Sequence, residues 1–110
     1  MEMNKMLKIE IIVPGESQDL VTELIKDSGM TGYTVIPNVS GYGHDGLHEG
    51  RLLFNDKSSQ VMVVAVGPEN MVQAIAEGMH SLFKKRSGVM FVSEVSVARF
   101  TYFSEEVVEN

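Results

Sequence analysis

The sequence predicts an α+β fold of order βαββαβ: a four-stranded antiparallel sheet with two helices on one face. Three observations carry this reading. Four short runs are rich in β-branched residues, two amphipathic runs at helical spacing separate them, and Pro37 falls inside the second strand run. A chain of 110 residues fits a single domain, 1–110, large enough to bury a sizeable apolar core.

Leu7-Lys-Ile-Glu-Ile-Ile-Val13 alternates apolar and polar residues over its first half, and Pro14-Gly15 ends this first strand. Ser17 stands where an N-cap belongs, and Asp19 complements the positive end of a helix dipole. Leu20, Val21, Leu24 and Ile25 form one face of that helix, and Gly29 stops it. Tyr33 to Val39 reads as the second strand; Pro37 removes a ladder donor, which places the strand at a sheet edge or on a bulge.

Gln60 to Val66 is apolar at almost every position, with Val61, Val63 and Ala65 facing one side and Met62, Val64 and Val66 the other. Gly67-Pro68-Glu69 turns into the second helix, with Pro68 expected at its first position. Met71, Val72, Ile75, Ala76, Met79, Leu82 and Phe83 make its apolar face, and Lys84-Lys85-Arg86 stand at its negative end. Val89 to Val92 opens the last strand, which Val95 to Phe103 extends or follows as another short strand. Met62, Met71, Met79 and Met90 fall on faces expected to be buried, as adaptable filler, and His80 reads as an ordinary helix residue.

Right-handed crossovers fold this order into the ferredoxin-like arrangement, in which the second strand is an edge strand, in agreement with Pro37. Two helices cover only one face of such a sheet. Apolar residues on both faces of the third and fourth strands therefore predict a homo-oligomer closed over the open faces, or a C-terminal segment folded back over them.

Charge and composition exclude several classes. The formal charge of −6 and the single compact basic cluster at 84–86 argue against nucleic-acid binding. Cys is absent, which removes disulfide frameworks and thiolate chemistry. Neither an apolar leader nor a membrane-spanning run is present, so a cytoplasmic protein without membrane insertion is expected. The chain carries no Gly-x-Ser-x-Gly elbow and no His-Glu-x-x-His, and no enzymatic activity is expected.

Gly41, Gly43 and Gly46 open a polar stretch running from His44 to Ser59, longer than an ordinary connection. Glycines admit positive φ and let backbone N–H groups crowd around an anion. Within this stretch His44, Asp45, His48 and Glu49 bring two imidazoles and two carboxylates together, donors suited to a divalent metal if the loop curls. Solvated loop residues explain such a cluster as well, so no metal is assigned. Glu105, Glu106 and Glu109 form an acidic tail, read as a solvated end.

The positions Gly29, Gly32, Thr34, Val35, Val39, Gly41, Gly43 and Gly46 strongly resemble the signature leading into the T-loop of PII signal-transduction proteins. The Lys8-Ile9-Glu10 strand, the Gly-Pro-Glu turn and Gly88 before Phe91-Val92 extend the likeness over most of the chain. The resemblance implies a homotrimer that binds adenine nucleotide in clefts between neighbours. It also implies a T-loop, here about 42–59, that signals to a target protein such as a membrane transporter or a carbon-metabolism protein. Carried over by position, Thr34 and Val66 line the adenine pocket, and Gly41, Tyr42, Gly43 and His44 approach the phosphates. Lys84, Arg86, Ser87 and Gly88 occupy the family's B-loop, and the tail at about 104–110 follows the last strand.

Three departures shape the ligand expectation. The B-loop pattern Thr-Gly-x-x-Gly-Asp-Gly-Lys is reduced to Lys84-Lys-Arg-Ser-Gly88, the family's C-terminal arginine pair falls on Phe100 and Tyr102, and Gln60 replaces a phosphate-binding lysine. Fewer cations favour ADP or AMP over ATP, with cyclic AMP a further candidate. The chain looks closest to the divergent PII-like branch associated with carboxysomes and bicarbonate transport, which adds bicarbonate as an expected ligand. A loop-mediated metal-binding regulator and a structural trimer with constitutive docking are the alternatives on the same scaffold.

Overall fold

The computed structural model describes residues 3–42 and 59–98. Strand β1 (Asn4–Pro14) leads through a 3-10 turn (Gly15–Ser17) into helix α1 (Gln18–Asp27). Strands β2 (Thr34–Val39) and β3 (Gln60–Gly67) follow, then helix α2 (Glu69–Phe83) and strand β4 (Val89–Val97). The strands form one antiparallel sheet in the order β2-β3-β1-β4. This is the expected α+β, ferredoxin-like βαββαβ arrangement, with β2 at an edge.

Alternation along the central strands decides which face is buried. Ile9, Ile11 and Val13 of β1 and Val61, Val63 and Ala65 of β3 turn toward the helices, where they meet Val21 and Ile25 of α1 and Val72, Ile75 and Met79 of α2. Each such Val, Ile or Met side chain contributes about 1.5–3 kcal/mol by leaving water, and the Ala65 methyl less. Met30, just after α1, closes this core over Gly67: a Cβ at Gly67 would collide with the Met30 thioether, so the glycine makes room for it.

Pro37 acts on β2 as the sequence implies. Ile36 pairs with Met62 but Val39 pairs with Gln60, so three steps on β2 answer two on β3 and the extra residue forms a bulge. Asn38 carries it at φ 56, a left-handed conformation that Asn tolerates better than most residues. Gly29, at φ 97 just past the Ser28 C-cap, stops α1 as expected.

Several expectations require correction. Ser17 occupies the N-cap position but makes no side-chain cap bond, because its backbone lies near φ −95, ψ 0 at the end of the 3-10 turn rather than in the extended conformation a cap needs. Pro68, expected as the first helical residue, is instead the N-cap of α2, which begins at Glu69, since its ψ of 162 is extended. Leu20 and Ala76, expected on apolar helix faces, point outward; Leu20 is 45% exposed, and Thr22 takes the buried position on α1. The last strand ends at Val97, and the remainder of the Val95 to Phe103 extension from 99 onward lies outside the described residues.

Among the described residues no helix covers the other face of the sheet. This face presents Ile12, Met62, Val64, Val66, Ile36 and Phe91, aligned across neighbouring strands. Ile36 is 41% and Phe91 52% exposed. Lys8 and Glu10, two residues apart on this face, pair with each other at 3.7 Å.

Candidate functional site

Three connections meet at one end of the sheet. Pro14 pairs with Gln60, Val39 with Gln60, and Ile12 with Val89, so the C-terminal ends of β1 and β2 lie beside the N-terminal ends of β3 and β4. The β1–α1 turn, the residues Gly41 and Tyr42 after β2, Ser59 before β3 and the segment Lys84–Gly88 before β4 therefore share this end. Two contacts tie them. The Gly15 amide donates to the Ser59 carbonyl at 2.7 Å, and Arg86 Nη1 donates to Ser17 Oγ at 3.4 Å.

Lys84 is the C-cap of α2, and the amides of Lys84, Lys85 and Arg86 donate back to the carbonyls of Ser81 and Leu82. The final turn of the helix thus uses these N–H groups, and an anion here would meet the lysine and arginine side chains instead. Gly88 brings the chain back to the sheet at φ 150. A Cβ there would stand 2.8 Å from Phe83 Cε1, 2.9 Å from Val13 Cγ1 and 3.0 Å from the Ile12 carbonyl oxygen, so the α2–β4 crossing passes too close to β1 for any side chain.

Gly41 behaves differently from the expectation that prompted attention to it. The positive-φ glycines among the described residues are Gly29 and Gly88, and a Cβ on Gly41 would meet nothing within 4 Å. Nothing among the described residues requires a glycine there. Tyr42 beside it is 91% exposed. Gly43, His44, Asp45, His48 and Glu49, together with most of the 42–59 loop and the 104–110 tail, lie outside the described residues. Among the described residues no group of three or more His, Asp or Glu side chains is placed to hold a metal ion, and no helix is long and apolar enough to cross a membrane.

The adenine candidates lie elsewhere on the sheet. Thr34 opens β2 opposite Val64, and Val66 lies opposite Lys8. Val66 is six residues along β3 from Gln60, which puts it roughly 20 Å from the loop end at about 3.4 Å per residue. Gly41–Tyr42 and Lys84–Gly88 follow or precede strands on opposite edges, three strand spacings or about 14 Å apart. One protomer thus brings Lys84, Arg86, Ser87 and Gly88 together and sets Thr34 and Val66 apart from them.

Residues 6–102 match the family model of the nitrogen regulatory protein P-II. The chain belongs to the P-II family. Among solved structures it is similar to CPII, a PII-like protein from Thiomonas intermedia K12 bound to ADP, AMP and bicarbonate. The identity is 36%, covering 93% of this chain and 96% of that one, with a TM-score of 0.82. A putative PII-like signalling protein of Thermus thermophilus shares the fold at 18% identity over 94% of this chain and 100% of that chain, TM-score 0.78. So does the GlnK–ATP complex of B. subtilis, at 20% identity, 83% and 82% coverage and TM-score 0.60. Comparison with curated proteins gives no significant match. Together these findings make the chain a divergent PII-like protein.

Sequence reasoning missed one member of this site, Ser17. Its place before an amphipathic run signals a helix cap, and nothing local to it announces an arginine 69 residues away. A long-range side-chain bond of this kind has no signature in periodicity or spacing.

Proposed function

We propose that the protein is a non-enzymatic PII-like regulator that binds ADP or AMP, with bicarbonate as a second ligand, in clefts between the subunits of a homotrimer. The observation that carries this reading is the separation of the adenine candidates, Thr34 and Val66, from the cations of Lys84–Gly88 at the far end of the sheet. A neighbouring protomer supplies the missing half of such a site. The apolar face away from the helices gives the protomers a reason to associate, because Ile36 and Phe91 on it are exposed and Met62 and Val64 lie between them.

Lys84 and Lys85 neutralise phosphate through their side chains, and Ser87 and Gly88 stand beside them. Gly41, where an added Cβ would meet nothing within 4 Å among the described residues, leaves room for a nucleotide or a neighbour's chain, with Tyr42, Gly43 and His44 next to the phosphates. The ligands follow the Thiomonas CPII protein, which was found with ADP, AMP and bicarbonate. Occupation of the cleft shifts the population of the 42–59 loop and so alters affinity for a target protein in the cytoplasm.

Calorimetric titration with AMP, ADP, ATP and cyclic AMP, with and without bicarbonate, tests the reading. ADP and AMP are expected to bind more tightly than ATP, and the double variant Lys84→Ala, Lys85→Ala to bind ADP about tenfold more weakly, as loss of charge-assisted contacts implies. Absence of adenylate binding by an intact oligomer refutes it.

A further inference from the structure

On the face away from the sheet, α1 and α2 pass each other with Gly78 against Leu24, so close that a Cβ at Gly78 would collide with Leu24 Cδ2. Beside this contact lies a groove of about 600 Å³ with Leu20, Leu24 and Leu82 in its lining. Its charges are sorted. Lys84, Lys85 and Arg86 line the end where α2 stops and α1 begins, whereas Glu23 and Asp27, one turn apart on α1, line the other. None of these five makes an ion pair among the described residues, where the salt bridges are Lys5–Glu94 and Lys8–Glu10.

We propose that this groove docks an amphipathic helix of a partner protein, with an acidic N-terminal turn over Lys84–Arg86 and a basic C-terminal turn beside Glu23 and Asp27. The leucines offer an apolar floor for residues at i, i+3, i+4 and i+7, the spacing by which helices seat in grooves. The charge gradient matches the bias that helix dipoles impose, acids at the start and bases at the end. Glu23 and Asp27 repel a nucleic acid or an anionic membrane. A second copy would lay one groove upon another and leave both floors unfilled.

The inference names the partner class of the signalling role and rests on that reading in one respect: the cations that receive the helix's acids are those proposed to neutralise nucleotide phosphate. ADP and the helix therefore weaken each other's binding by the same factor.

The probe is a dye-labelled peptide of about four helical turns, with leucines at the spacing above, glutamates in its first turn and lysines in its last. A control of identical composition exchanges the glutamates and lysines. Fluorescence anisotropy is expected to show the first peptide binding at least about tenfold more tightly than the control, since like charges juxtaposed at an interface are costly. Leu20→Ser, a neutral change at an exposed position outside the nucleotide site that removes part of the apolar floor, is expected to weaken the peptide about tenfold and to leave ADP affinity by calorimetry unchanged. Equal binding of the two peptides, no binding, or full affinity in Leu20→Ser overturns the docking site. If the peptide results hold while ADP fails to bind, the groove stands and the nucleotide reading falls; if both bind without weakening each other, the shared use of Lys84–Arg86 is wrong.

Discussion

Arg86 reaches across the top of the helix layer and donates from Nη1 to the hydroxyl of Ser17, which is 1% exposed. The bond joins the α2–β4 connection to the start of α1 and fixes where the basic cluster meets the loop end. Because Ser17 makes no cap bond with its own helix, Arg86 takes the hydroxyl that the helix does not use.

Ser17→Ala removes this acceptor while keeping the small buried side chain. The guanidinium remains in water, so the cost is expected at the low end for a hydrogen bond, about 0.5–1 kcal/mol in urea unfolding. Arg86→Ala leaves the buried hydroxyl without its guanidinium partner and should cost about 1–2 kcal/mol. A smaller loss in Arg86→Ala than in Ser17→Ala would contradict this account of the pair.

Gly88 is the most sterically constrained position of the candidate site. Gly88→Ala places a methyl against Phe83, Val13 and the Ile12 carbonyl, and backbone is among what it strikes. A loss of about 2 kcal/mol or more is expected, from overpacking and the positive φ together. Gly41→Ala meets no atom among the described residues and should leave unfolding within about 0.5 kcal/mol of the parent.

Asn38 carries the left-handed residue of the Pro37 bulge. Asn38→Val puts a β-branched side chain at that φ and is expected to lower stability by about 1–2 kcal/mol. Asn38→Gly should be close to neutral, since relief of strain offsets the extra freedom of the unfolded chain.

Phe91, on the open sheet face opposite Glu10, is placed to report on assembly. Phe91→Glu brings a like charge directly opposite Glu10 and puts a carboxylate into the apolar patch. Light scattering is expected to show a trimer for the parent and smaller species for the variant, with far-ultraviolet circular dichroism unchanged. A parent that stays monomeric at micromolar concentration would remove the oligomer from the account.

The sheet was legible because its physics is local. Alternation of Val61, Val63 and Ala65 with Met62, Val64 and Val66 states the two faces of β3, and Pro37 announces both the edge and the bulge. Helix faces were less sharp. At Leu20 and Ala76 an apolar side chain fits the helical period yet points away from the sheet, and only the docking angle of the helix settles such a position. For the site, the residue pattern pointed to the right family. Geometry added what a pattern cannot hold: the Ser17–Arg86 bond, the absence of steric demand at Gly41, and the distance between Val66 and the loop end.

A crystal structure grown with ADP tests the central claim most directly. The nucleotide is predicted to lie between two protomers, its adenine beside Thr34 and Val66 and its phosphates beside Lys84–Gly88 across a subunit boundary. An assembled protein with that cleft empty, or with ADP held wholly within one protomer, would contradict it.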